Sequence, residues 1–210
     1  MCTATVILFA RAPVPGRVKT RLAASIGAEA AADLHSCFVK DMMDKLETLR
    51  PRAELELHTD TDTDAWNGRG VARFVQANGD LGRRMFEALR CGLEAGRAPV
   101  MILGSDAPTL PLAHLEALLG SAADVALGPT EDGGYYAISC RRVHAGMFEG
   151  VEWSGPRALE QTCAAIRACG LSVELGPAWY DIDTPEDLAR LAAAPHLPVH
   201  TAAWCKVNVS

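Results

Sequence analysis

Short, continuously apolar runs alternate with longer amphipathic ones along most of the chain. Residues 4–10 are rich in Val, Ile, Leu and Phe, and Arg11-Ala12-Pro13-Val14-Pro15-Gly16 then changes the composition abruptly. That pattern predicts a strand buried on both faces, followed by a rigid loop. From 27 to 49, alanines, leucines and methionines recur with charges between them, as in a surface helix, and Pro51 stops the run. Further strands are predicted at 53–58, 71–76, 99–103, 123–127, 135–139 and 171–175, and helices at 80–95, 112–119, 154–168 and 184–191. In the 80–95 segment Leu81, Met85, Leu89 and Leu93 recur every four residues, with Asp80 placed to cap them. Thr184-Pro185-Glu186-Asp187 joins a proline at the first helical position to an acid three residues past the cap. The alternation predicts an α/β fold: a three-layer α/β/α sandwich around a mostly parallel central sheet. One domain is expected over 1–194. Residues 195–210 show no clear period and are expected to form a C-terminal tail that packs against the domain or pairs at an interface, which leaves a homodimer open.

Composition narrows the class. With 49% apolar and 22% charged residues, 210 residues can bury one sizeable core, unlike a disordered binding segment. A net charge of -6 argues against a nucleic-acid coat. The seven cysteines are odd in number and form no CxxC pair, so a reducing cytoplasm fits better than a disulfide framework or a thiolate zinc site. No basic stretch precedes the first apolar run, and later uncharged stretches are interrupted, so neither a signal peptide nor a membrane span is expected. The histidines make no metal-binding spacing; His35, His58, His114 and His144 read as surface or packing residues, and Cys91, Cys163 and Cys169 as fillers of helix-facing space.

Four segments could carry chemistry. Arg11, Arg17, Lys19 and Arg21 all precede the first acid, Glu29, in a chain that is acidic overall. With backbone N–H groups near Gly16, they suit an anion pocket; the alternative is an arginine-rich surface loop whose Pro and Gly serve only its turns. A Walker A loop is excluded because Gly16 does not directly precede Lys19, and no GxGxxG occurs. Asp106, in Gly104-Ser105-Asp106-Ala107-Pro108, should emerge at the carboxyl end of a central strand, where open α/β sheets bind ligands and a carboxylate can hold Mg2+ against phosphate; otherwise it is a turn or cap residue. In Asp181-Ile182-Asp183 one acid could ligate a metal while the other orients it, with Glu186 and Asp187 serving the helix start. Asp132-Gly133-Gly134-Tyr135 combines a polar side chain, close backbone approach and an aromatic wall, as a sugar or base pocket would, or is simply a tight turn.

Joined in order, AxVxLFARAPVPGRVKTRL, QANGDLGRRMFEAL, GSDAPTL, GPTEDGGYYAI and YDIDTPEDL resemble a family of small bacterial GT-A-fold proteins in the nucleotide-diphospho-sugar transferase superfamily. That family is catalogued as a domain of unknown function, and some members are described as glycosyltransferases associated with arsenosugar biosynthesis. The resemblance covers about residues 4–192. It implies phosphate-loop roles for Arg11, Gly16, Lys19 and Arg21, with Lys19 and Arg21 also catalytic. It implies catalytic and metal roles for Asp106, a second metal role for Asp183, and an acceptor-side loop at Asp132, Gly133, Gly134 and Tyr135. The implied cofactor is Mg2+ or Mn2+; the implied partners are a nucleotide or nucleotide-sugar donor and a small-molecule acceptor, with no nucleic acid. Arg11 stands where relatives often carry lysine, and Tyr136-Ala137-Ile138-Ser139-Cys140 departs from the usual Leu-Ile-Gly ending.

Two reactions fit this reading. In nucleotidyl transfer an acceptor phosphate attacks an NTP, and pyrophosphate leaves beside Arg11, Lys19 and Arg21; concentrated positive charge and the lack of need for a strong base favour it slightly. In glycosyl transfer the acceptor attacks the anomeric carbon of an NDP-sugar. A noncatalytic nucleotide-sensing module is the third reading.

Overall fold

The computed structural model describes residues 4–209. In chain order it comprises β1 (Ala4–Ala10), α1 (Thr20–Ile26), α2 (Ala28–Glu47), β2 (Ala53–Thr59), β3 (Ala72–Val75), α3 (Leu81–Glu94), β4 (Val100–Gly104), α4 (Leu112–Gly120), β5 (Val125–Pro129), β6 (Tyr135–Cys140), a 3-10 turn (Ala145–Phe148), α5 (Ala158–Ala168), β7 (Val173–Leu175), α6 (Pro185–Ala192) and α7 (Val199–Asn208). The strands form one seven-stranded sheet in the order β3-β2-β1-β4-β6-β5-β7. Neighbours are parallel except β6, which runs antiparallel to both β4 and β5. The sheet is therefore mixed.

Alternate side chains of each strand feed opposite faces. Val6, Leu8 and Ala10 of β1 join Val39, Met42 and Leu46 of α2 and Leu115 of α4 on one side. Ile7 and Phe9 join Met85 and Leu89 of α3 and Cys163 and Ile166 of α5 on the other. A third core lies off the sheet: Leu22, Leu34, Phe38, Tyr180, Ile182, Leu188, Leu191, Trp204 and Cys205 bind α1, α2, α6 and α7 together.

Both expected caps form. Asp80 accepts from the Arg83 amide at 2.8 Å, and Thr184 and Asp187 make a reciprocal capping box before α6. Two helices lie where the sequence suggested loop or tail. Thr20–Ile26 is a separate turn-and-a-half, parted from α2 by Gly27, whose φ of 90° ends one helix and starts the next. Val199–Asn208, expected as a structureless tail, is α7. Its buried stripe is only Thr201, Trp204 and Cys205, while Val199 and Val207 face outward, so its apolar residues do not follow helical period. Cys91, expected to fill space, is exposed.

Strand order brings the chemistry together. The chain leaves β1 toward β2 on one side and returns through β4 on the other, so a topological switch point lies between β1 and β4. Their carboxyl ends are adjacent, Phe9 lying opposite Gly104, and Arg11 and Asp106 therefore emerge side by side.

Candidate functional site

After β1 the chain turns at Val14-Pro15-Gly16-Arg17. The Arg17 amide donates to the Val14 carbonyl at 3.0 Å and Gly16 has φ 77°, as Pro-Gly at the centre of a type II turn requires. The loop is tied down by the Ala12 amide donating to Asp60 Oδ1 at 2.7 Å and by Arg11 donating to the Arg17 carbonyl. Lys19, the residue before α1, adopts φ 47° and ψ 44°, a left-handed conformation that costs a non-glycine residue about 1 kcal/mol or more. That backbone turns its side chain inward, away from Arg11, Arg17 and Arg21, which all remain exposed.

The inward ammonium is the centre of the site. Lys19 Nζ donates to the Ile182 carbonyl at 2.6 Å and to Asp183 Oδ1 at 2.9 Å, and lies 2.7 Å from Asp106 Oδ1. Its side chain is only 3% exposed, whereas those of Asp106 and Asp183 are each 42% exposed. Burial pulls the Lys19 amine downward, but the Asp106 and Asp183 carboxylates outweigh it and hold the group above its ordinary value. For Asp106, burial pushes upward and the Lys19 charge, with smaller help from His35 and Arg11, pulls the carboxyl below its usual range.

The acids arrive from two separate segments. Asp106 follows β4 by two residues. Asp181 and Asp183 flank Ile182, which is fully buried in the third core; alternation then turns both acids toward the site. The Ile182 amide donates to the Asp106 carbonyl at 2.9 Å, joining the segments. Asp181 is pushed up to about 8, by burial first and then by the Asp106 and Asp132 carboxylates. Asp132 accepts from Thr130 Oγ1 and the Gly134 amide at 2.6 and 3.1 Å, so one of its oxygens builds its own turn. Gly133 is obligatory there: its φ is 89°, and a Cβ would fall 1.9 Å from the Pro156 carbonyl.

Further residues surround this site. His35, buried on α2, has Nε2 3.0 Å from the Arg11 carbonyl, which accepts from it, and Nδ1 3.9 Å from Asp106 Oδ1; burial lowers its pKa. Trp179 and Tyr180 stack at 5.3 Å beside Thr109, which accepts from Trp179 Nε1 at 3.3 Å and shares a 3.2 Å bond with the Tyr180 hydroxyl. Arg190 covers the Tyr180 ring at 3.6 Å and pairs with Glu131. His35 carries a sequence signal, a polar residue one turn from Ala31, Leu34, Phe38 and Val39 on the buried face of α2.

The family described as uncharacterized protein conserved in bacteria (DUF2064) matches residues 42–155, just over half of the chain. The chain belongs to this family. A solved structure from Desulfovibrio desulfuricans G20, named as a candidate nucleotide-diphospho-sugar transferase, is 32% identical, with a TM-score of 0.90 over 99% of this chain and 96% of that one. The CTP complex of CMP:2-keto-3-deoxy-manno-octonic acid synthetase shares the fold at 16% identity and a TM-score of 0.59, over 90% of this chain and 96% of that chain. A cytidylyltransferase from Leptospira borgpetersenii does so at 13% and 0.58, over 99% and 94%. No curated protein matches. The DUF2064 chain thus has the GT-A-like architecture of nucleotide-dependent transferases, and none of its described helices is long and apolar enough to cross a membrane.

Two sequence expectations change on this scaffold. Lys19 is saturated by protein oxygens and is not a free phosphate contact, which leaves Arg11, Arg17 and Arg21 as the exposed cations of the loop. Tyr135 does not face an acceptor: its hydroxyl is buried among the side chains packed against α5, and burial raises its pKa. A second set of potential ligands also exists. Asp41, Asp44 and His200 offer atoms within 4.8 Å of one another and could hold a divalent cation. Both Asp41 oxygens, however, already accept from the start of α7, from the His200 amide on one side and the Thr201 amide and hydroxyl on the other. Arg69 contacts both of the other two, pairing with Asp44 and lying 3.3 Å from His200 Nε2. A surface cavity of about 380 Å3 at the β5–β7 edge is lined by Leu118, Leu175 and Pro177 and carries none of the site acids.

Proposed function

We propose that this DUF2064 protein is a transferase that moves a sugar from a nucleoside-diphosphate sugar to a small acceptor, aided by Mg2+ or Mn2+. The observation that carries this reading is the convergence of Lys19, Asp106 and Asp183 at the β1–β4 switch point, in a chain 32% identical over nearly its whole length to a candidate nucleotide-diphospho-sugar transferase.

Charge distribution favours sugar transfer over nucleotidyl transfer. Lys19 is spent on Asp106 and Asp183, so the cations available to a donor are Arg11, Arg17 and Arg21, with Arg11 already bonded to the loop. The far side of the site carries Asp132 and Asp181, while Arg190 is paired with Glu131, the neighbour of Asp132. A phosphorylated acceptor would meet the Asp132 carboxylate there, with Asp181 protonated near neutrality rather than cationic; a hydroxyl acceptor would meet hydrogen-bonding groups.

The acid cluster fits a divalent cation. Asp106 Oδ1 is buried with the Lys19 ammonium 2.7 Å away as its counter-charge, while the Asp106 and Asp183 side chains are each 42% exposed and so open to an ion. Burial first, and then the Asp106 and Asp132 carboxylates, push Asp181 up to about 8, a bias that a second positive charge would offset. Asp106 and Asp183 would hold the ion, which when bound would neutralise charge building on the departing diphosphate. The protein's own part is to fix the two carboxylates through Lys19 and the Ile182 amide, and to present arginines to the diphosphate. Asp132, Gly133 and Gly134 would bound the acceptor side.

A panel of NDP-sugars and, separately, of NTPs with sugar phosphates tests the proposal. Release of nucleoside diphosphate in the first set supports it. Release of pyrophosphate in the second assigns nucleotidyl transfer instead. No metal-enhanced binding of any nucleotide leaves the interaction-module reading.

A further inference from the structure

Helix α7 runs antiparallel to α2, and side-chain bonds fix the register. His200 Nε2 lies 3.1 Å from Asp44 Oδ2, and the Thr201 amide donates to Asp41 Oδ2 at 2.8 Å. One helical turn back from Asp41 on the same face of α2 is Cys37; one turn on from Thr201 on the same face of α7 is Cys205. Because the helices run in opposite directions, these two steps lead the same way, and the register brings the two cysteines to the same level of the interface, near enough for Cys205 to act on the Cys37 thiol. Both belong to the third core, Cys205 at 8% exposure and Cys37 half-buried at its margin. That core also holds Leu22 of α1, Ile182 and Phe38, over whose ring the Lys19 ammonium sits at 5.5 Å. A link between α2 and α7 would therefore brace the floor beneath Lys19 and Asp183.

We propose that Cys37 and Cys205 form a reversible dithiol–disulfide pair that fastens α7 to α2. The oxidant is a low-molecular-weight disulfide. Cys37, the more accessible thiol, attacks one sulfur of that disulfide as the thiolate, forming a mixed disulfide and expelling one small thiolate. The Cys205 thiolate then attacks the Cys37 sulfur, closing the protein disulfide and expelling the second. Two protein thiols and one small disulfide become one protein disulfide and two small thiols, which take up the two protons released. Burial holds both thiols above their usual pKa, with Asp33 and Asp41 acting in the same direction at Cys37 and Lys40 against it. The exchange is accordingly slow near neutrality and belongs to sustained oxidation.

The test uses the intact chain with glutathione disulfide at pH 8.5, followed by peptide mapping without reduction. A Cys37–Cys205 cross-link is expected, which consumes both of those thiols. Tm should rise on the order of 5–15 °C and fall back on reduction. Cys37→Ser and Cys205→Ser should each abolish the rise while changing the Tm of the reduced protein little. Exposed Cys91 is the internal control for oxidant reactivity. A glutathione adduct on Cys91 with no Cys37–Cys205 link, an adduct on Cys37 that never resolves, or a link formed only in denaturant would overturn the proposal. The wild-type map decides the matter even where a serine variant folds poorly.

Discussion

Lys19 and its neighbours Arg11, Arg17 and Arg21 come from one basic loop, yet they end in opposite environments. Lys19 is buried and bound by three protein oxygens, while the arginines stand in solvent. The difference is made by one left-handed residue at the start of α1 and by two acids that reach the loop from distant segments. A cluster of like charges in sequence is thus two devices in space, an internal counter-ion that assembles an acid site and an exposed set that can meet an anion.

The largest effect should come from breaking the internal device. Lys19→Met removes the ammonium from between Asp106 and Asp183 and leaves Asp106 Oδ1 buried without its counter-charge. Removing one partner of a buried pair typically costs about 3–5 kcal/mol, and the 42% exposure of both acids places this variant toward the low end of that range. Urea unfolding reads it out, and a loss no larger than that of a surface lysine would refute the bracing role. Next is Asp106→Asn, expected to lower metal-dependent turnover on the order of 100-fold or more with the fold retained. Near-native turnover would reduce Asp106 to a turn residue.

The exposed device should respond in the opposite way. Arg11→Ala and Arg21→Ala are each expected to weaken donor binding about fivefold to tenfold, with Tm unchanged within a few degrees, because their charges face water rather than the core. Unchanged affinity with a large stability loss would show that these arginines, too, are structural.

A pH-dependent effect is expected at Asp181, whose pKa in the folded protein is about 8 against 3.8 ordinarily. Between those values the folded state holds the extra proton, so the stability it contributes is full below the unfolded value and is lost as pH rises toward about 8. Asp181→Asn should flatten the decline in Tm between pH 5 and 8 in metal-free protein. An identical pH profile in wild type and variant would contradict the repulsion assigned to the acid cluster.

Features that depend on a few neighbouring residues were legible in the sequence. The seven residues of β1 stand out because a buried central strand is apolar on both faces. The Asp80 cap and the Thr184 capping box are spelled by residues three apart. Asp106 could be placed at a strand end because the apolar run before it is unbroken. Long-range pairing was not legible: Lys19 and Asp183 are 164 residues apart, and nothing in the basic loop marks which cation turns inward. The antiparallel direction of β6 is equally silent, since side-chain alternation is the same for either direction. Helix α7 was hidden because a helix that buries a narrow stripe and exposes two valines has no readable period.

The central claim is that Asp106 and Asp183, held by Lys19, receive a divalent cation that binds a nucleoside-diphosphate donor. Calorimetric titration of NDP-sugars into the protein, with Mn2+ and with chelator, tests it most directly when run in parallel on wild type and Asp106→Asn. At least one NDP-sugar should bind wild type about tenfold or more tightly with metal than without it, and Asp106→Asn should lose that gain while keeping the metal-free affinity. Equal binding with and without metal in wild type, or an undiminished metal gain in the variant, would contradict it.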